Sequence, residues 1–168
     1  AKEDVPVGVA GFSLTSNTSS LSVEEMSKAL KDPSRFAGLH FFNPVNKMPL
    51  VEIITHEKVN PKTIQTLLKW VLDAKKTPIV VKDGPGFLVN RVLMPYLMEC
   101  VQLLEEGFSA EVIDGAAKRF GMMMGPVELA DTVGMDVCLA VAENLTAHFG
   151  GTVPQRLRDM VAAGKLGR

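Results

Sequence analysis

Only two cysteines, Cys100 and Cys138, occur among the 168 residues. They lie far apart, inside stretches of helical periodicity. That pattern excludes a disulfide framework and a cysteine metal site, and reads as two buried thiols in a reducing, cytoplasmic setting. Runs of one charge are also missing. The chain has 18 basic and 19 acidic residues and a net charge of -1, which argues against a nucleic-acid partner. No apolar run approaches the roughly 20 residues that span a bilayer. The opening AKEDVPVGVAGF lacks a basic region followed by an apolar core, so it is no signal peptide. It lacks a starting Met as well, and processing or excision from a longer chain is the expectation. No internal repeat or low-complexity tract appears. What is there in quantity is apolar: 46% of residues are hydrophobic, enough for a real core in one domain or two small ones.

The organising stretch is Gly38 to Thr55, GLHFFNPVNKMPLVEIIT. Two short apolar runs flank a turn-rich segment holding Pro44, Asn46 and Pro49. Each run reads as a buried strand, with Leu39, Phe41 and Phe42 in the first and Leu50, Val51, Ile53 and Ile54 in the second. Antiparallel pairing about Asn46 sets His40 opposite Glu52, with Cβ atoms about 5 Å apart. A carboxylate at that distance can hold an imidazole by one nitrogen and leave the other for proton transfer. The same pairing also suits a satisfied polar pair inside a sheet.

Around this stretch the first half alternates strands and helices. Residues 8–16 read as a strand. Ser22 and Glu25 have capping-box spacing for a helix with Met26, Ala29 and Leu30 inward, ended by Pro33. Asn60 and Pro61 look like the N-cap and first position of a helix carrying Ile64, Leu67, Leu68, Val71 and Leu72. Residues 77–81, TPIVV, read as a buried strand. This alternation predicts a mostly parallel α/β sheet.

Turn residues cluster at residues 82–86, KDGPG, which divides residues 1–82 from 83–168. The second half reads as all helix. One long apolar helix runs from Phe87 to about Glu106, kinked by Pro95 and ended by Gly107. Ser109 caps the next, with Val112, Ile113, Ala116 and Ala117 inward. Pro126 starts a third after the 121–125 turn. Others cover about 135–148 and 154–163. The long helix is apolar most of the way round, so the other helices, a second domain or a partner subunit must cover it. His56 and His148 read as surface histidines, and the nine methionines as gap-fillers.

Taken together, SNTSSLSV, RFAGLHFFNPV, MPLVEII, TPIVVKDGPGFLVNRVLMPYLME and MGPVELADTVG resemble the 3-hydroxyacyl-CoA dehydrogenases, in that family's order and spacing. The likeness runs from about Leu14 to Arg168. The wording is nearest the dehydrogenase part of bacterial multifunctional fatty-oxidation proteins. It implies the C-terminal part of a Rossmann-like nucleotide-binding domain over 1–82 and a helical substrate and dimerisation domain over 83–168. It also implies NAD as cofactor, an acyl-CoA substrate and a homodimer paired through the helical domain. By the resemblance, His40 would be the catalytic base and Glu52 its orienting carboxylate. Ser19 would bond the substrate oxygen, and Asn90 would reach the reacting region. Asn43 would lie near the nicotinamide, and Asn17 and Ser19 would also bind the cofactor. Read alone, Asn17 and Ser19 could simply turn the chain, Asn43 before Pro44 is a common turn element, and Asn90 could cap a linker carbonyl. Glu128 and Asp131 read as helix-start charges and interdomain contacts.

The chemistry suits those types. Oxidising a secondary alcohol removes a proton as a hydride departs. An imidazole with a pKa of about 6.5 accepts that proton at neutral pH, and a neighbouring carboxylate stabilises the imidazolium. Hydroxyl and amide donors stabilise charge on the oxygen. One family feature has no counterpart. No G-x-G-x-x-G cradles a pyrophosphate here, and no acidic residue awaits the adenine ribose. The expectation is a fragment that keeps the dyad, binds NAD poorly and turns over nothing by itself.

Overall fold

The computed structural model describes residues 13–19 and 21–167. The chain divides into two compact units, Ala1–Asp83 and Gly84–Arg168. The first unit is built on a sheet of four strands among the described residues, in the order β1 (Leu14–Ser16), β2 (Phe36–Phe41), β3 (Leu50–Thr55) and β4 (Thr77–Lys82). β1 runs parallel to β2, β2 antiparallel to β3, and β3 parallel to β4. Parallel neighbours need a crossover, and α1 (Val23–Ser27) and α2 (Pro61–Asp73) lie in those two connections. The strand reading for residues 8–12 falls outside the described residues.

Alternation along the strands makes two faces. Ala37, Leu39, Val51 and Ile53 pack with Leu67 and Val71 of α2. Ile53 and Val71 are 0% exposed, and burying each such side chain contributes about 1.5–3 kcal/mol. Gly38 and Ile54, paired across β2 and β3, meet Val23 of α1. A Cβ on Gly38 would lie 2.8 Å from Ile54 Cβ and 2.9 Å from Val23 Cγ2. Only glycine lets this short helix lie so close to the sheet.

Local caps follow the sequence pattern. Ser22 Oγ accepts from Glu25 N at 3.1 Å, and Asn60 Oδ1 accepts from Lys62 N at 2.9 Å, with Pro61 first in α2. The Glu25 carboxylate pairs with Lys28. Asp83 adds a second cap: its Oδ2 accepts from Ser22 Oγ at 2.7 Å and Glu24 N at 2.8 Å. The carboxylate after β4 thereby neutralises the start of α1.

Several expected core positions lie outside the core. α1 ends at Ser27, well before Pro33, and buries Val23 and Ser27 while Ala29 is exposed. Leu72 is 57% exposed, since two turns of α2 already cover this face of the sheet. β4 is not a buried strand. Among the described residues it is an edge strand, with Val80 half in solvent.

The second unit is helical: α3 (Val89–Glu105), α4 (Ala110–Phe120), α5 (Pro126–Val133), α6 (Met135–Phe149) and α7 (Gln155–Ala162). Its core joins Met94, Leu97 and Val101 of α3 to Cys138, Val141 and Leu145 of α6 and Leu157 of α7. Gly86 precedes α3 with φ +69°, and a Cβ there would meet Arg91 N at 2.9 Å. Pro95 lies inside α3 and removes the donor that Arg91 C=O would use. Asp114 of α4 caps α5 from outside, accepting from Val127 N at 2.8 Å and Glu128 N at 3.1 Å. Glu128 pairs with Lys118 at 2.8 Å. α4 turns only Ile113 fully inward; Val112 and Ala116 are exposed. The methionines of the 122–124 turn are exposed too, so they fill no gap. Cys100 and Cys138 are buried free thiols.

Candidate active site

The β2–β3 ladder pairs His40 with Glu52, in the register that pairing about Asn46 requires. Directly opposed residues share a face, so the two side chains meet. His40 Nδ1 lies 2.8 Å from Glu52 Oε2. The imidazole is 5% exposed and the glutamate 0% exposed. A carboxylate facing Nδ1 selects the tautomer with the proton on that nitrogen, which makes Nε2 the basic atom of the neutral ring. The ring packs against Phe42, centroids 4.6 Å apart. Phe42 follows β2 directly, and its part in orienting His40 has no signature in the sequence.

The other candidates divide between the two units. Asn17 and Ser19 follow β1, and Asn43 follows β2. Because β1 and β2 are parallel, these residues and His40 gather at the carboxyl ends of both strands. Ligands of open α/β sheets bind at such ends. Asn17 also has a structural task, since its Oδ1 accepts from Phe41 N at 2.9 Å and ties the two strand ends together. Ser19 is half-buried, and Asn43 is exposed. Asn90 is half-buried near the start of α3, in the helical unit.

Lys76 is a residue that the sequence does not advertise. Its Nζ donates to Val45 O at 2.6 Å and Met48 O at 2.9 Å. Thr77 N donates to Pro49 O at 2.8 Å. These bonds anchor the loop that joins β2 to β3, and with it Asn43.

His56 is not a surface residue. It is 7% exposed, with Nε2 3.0 Å from Phe36 O and Nδ1 accepting from Lys58 N at 3.3 Å. Both ring nitrogens therefore serve the backbone, unlike the carboxylate-held ring of His40. Among the described residues no cluster of three or more His, Cys, Asp or Glu side chains could hold a metal ion.

A partial nucleotide-binding sheet with a carboxylate-held histidine at its ligand end, followed by a helical unit, defines a two-part cofactor-enzyme plan. Residues 10–84 match the family described as 3-hydroxyacyl-CoA dehydrogenase, NAD binding domain, and residues 86–168 match its C-terminal domain. The chain belongs to the 3-hydroxyacyl-CoA dehydrogenase family. It is 48% identical over 146 residues to a fatty acid oxidation complex subunit alpha from Idiomarina loihiensis, a match over 86% of this chain and 20% of that protein. The chain thus spans about a fifth of the length of such curated relatives. Among solved structures, it is similar to (S)-3-hydroxybutyryl-CoA dehydrogenase from Ralstonia eutropha, with TM-score 0.89 and 39% identity over 95% of this chain and 58% of that one. It is likewise similar to 3-hydroxybutyryl-CoA dehydrogenase from Escherichia coli K12, with TM-score 0.82 and 39% identity over 92% of this chain and 34% of that one.

Proposed function

We propose that this chain carries the proton-transfer part of an NAD-dependent dehydrogenase that oxidises (S)-3-hydroxyacyl-CoA to 3-oxoacyl-CoA in fatty acid β-oxidation. The observation that carries the reading is the buried His40–Glu52 pair at 2.8 Å, in a chain of this family. His40 Nε2 takes the proton of the substrate's 3-hydroxyl. Glu52 holds Nδ1–H and stabilises the imidazolium as it forms. The Ser19 hydroxyl donates to the substrate oxygen. NAD, when bound, supplies the hydride acceptor.

The fit to that cofactor is partial. Asn17, Ser19 and Asn43 sit at the strand ends where a nicotinamide would lie, and Asn17 offers its amide N–H groups and the second lone pair of Oδ1, whose first accepts from Phe41 N. A G-x-G-x-x-G pyrophosphate cradle does not occur in the 168 residues. We therefore read the chain by itself as a poor NAD binder without turnover, whose dyad acts when a glycine-fingerprint half from the same family is joined to it. The buried free thiols fit a reducing cytoplasm.

The test is NADH formation from 3-hydroxybutyryl-CoA. The 168 residues alone should give none, and the joined protein should give turnover. In the joined protein His40→Gln should lower kcat by about 10²–10⁴-fold while acyl-CoA binding stays. Turnover by the chain alone overturns the NAD reading, and equal loss of binding in the variant makes His40 structural.

A second role has its own support. On the helical unit the large apolar side chains Val112, Phe120 and Met123 are 54%, 89% and 102% exposed. We propose that this unit also pairs two copies and docks acyl-CoA. Sedimentation at several concentrations tests the pairing, and a monomer throughout would refute it.

A further inference from the structure

In the helical unit a slot of about 370 Å³ runs between one face of α3 and one face of α6. Small-molecule sites fall within about 300–1,000 Å³. Met94, Pro95 and Met98 form one wall, and Ala142, Leu145 and Phe149 the other. Met94, Pro95 and Met98 follow Arg91 by three, four and seven residues, and Leu145 and Phe149 follow Ala142 by three and seven, so each set lies on a single helix face. The inner surface is mostly apolar, with Thr152 and the backbone of Gly150 and Gly151 at its border. Even Thr146 spends its hydroxyl on its own helix, donating to Ala142 O at 2.9 Å and Glu143 O at 3.1 Å.

One charge stands at the slot. Arg91 stacks on Phe149, its guanidinium carbon 4.4 Å from the ring centroid. Stacking occupies the face of the guanidinium and leaves its edge, with the fork of N–H donors that matches a carboxylate. Among the described residues the Arg91 guanidinium has no carboxylate partner. The adjoining hollow shares Pro95 and Met98 and is lined by Glu99, Glu105 and Glu106. An anionic head is repelled from that end and attracted to the Arg91 end, so polarity along the slot is set.

We infer that this slot binds an aliphatic monocarboxylate, with its chain between α3 and α6 and its carboxylate on the edge of Arg91. The site lies wholly within the helical unit and uses none of the residues assigned to the dehydrogenase chemistry, so it stands or falls separately from that reading. It makes the helical unit a receptor for a free aliphatic acid.

Titration calorimetry on the 168-residue chain tests this with octanoate, octan-1-ol and octylammonium. Octanoate should bind, octan-1-ol about tenfold more weakly because the charge-assisted bonds are lost, and octylammonium more weakly still. Arg91 is exposed, so Arg91→Gln should fold normally, reduce octanoate affinity to that of the alcohol and leave the alcohol unchanged. Butanoate, too short to fill the slot, should also lose affinity. Three results overturn the inference: no octanoate binding up to about 10 mM, equal binding of acid and alcohol, or undiminished octanoate binding by Arg91→Gln.

Discussion

Removing either member of the His40–Glu52 pair takes from its buried partner the contact at 2.8 Å. Glu52 is fully buried and His40 nearly so. Breaking a buried pair by deleting one side costs about 3–5 kcal/mol. Glu52→Ala and His40→Ala should each destabilise by that amount. Simple addition would bring the double variant to about 6–10 kcal/mol, close to the whole stability of a small domain. Much of each single cost is the loss of that same contact, however, so the double variant should fall short of the sum by about 1–3 kcal/mol. Glu52→Gln keeps an oxygen that can accept from Nδ1–H and should cost only about 0.5–1.5 kcal/mol. Urea unfolding followed by Trp70 fluorescence measures all four. Trp70 is the only tryptophan and lies on α2 with its ring edge-on to Phe41, centroids 6.3 Å apart, so it reports on the unit that holds the dyad. Additive losses, with coupling below about 0.5 kcal/mol, would refute the reasoning.

Two further outcomes concern the helical unit. The Tyr96 hydroxyl is buried and has no hydrogen-bond partner among the described residues, and Tyr96→Phe should therefore stabilise by about 1–3 kcal/mol in urea titrations; destabilisation would show that the hydroxyl is satisfied. Burial pushes the Cys100 and Cys138 thiols up to about 11. A folded value raised above the unfolded one, about 8.5, gives a contribution that is whole below that pH and lost as pH climbs toward 11. Stability should fall over that alkaline window, and Cys100→Ala with Cys138→Ala should flatten the fall. The native chain should also resist a thiol reagent near neutral pH, and rapid labelling would refute the burial.

Local patterns carried most element positions. Ser22, Asn60 and Ser109 are N-caps because a short side-chain oxygen can reach the first free amides of a helix, and each does so. The hairpin register was legible because the turn lies between two runs of matching length, and His40 meets Glu52 as a result. Depth of burial was less legible. The expected inward positions Leu72, Val112 and Ala116 are exposed because apolar character at helical spacing marks a face without saying whether another element covers it. His56 looked like a residue at a strand's end, and only the return of Phe36 O within 3.0 Å buries it.

The carboxylate–imidazole pair, the turn-rich break near residue 83 and the absent glycine fingerprint are properties of the sequence itself. They depend on residue type, spacing and the two-residue period of a strand. Long-range placement needed the fold. Asp83 at the start of α1, Lys76 on the carbonyls of the β2–β3 loop, Asn17 on Phe41 N and Arg91 over Phe149 all join residues far apart in the chain. No local pattern specifies such pairs, because the energy that brings them together comes from packing the sheet and the helices around them.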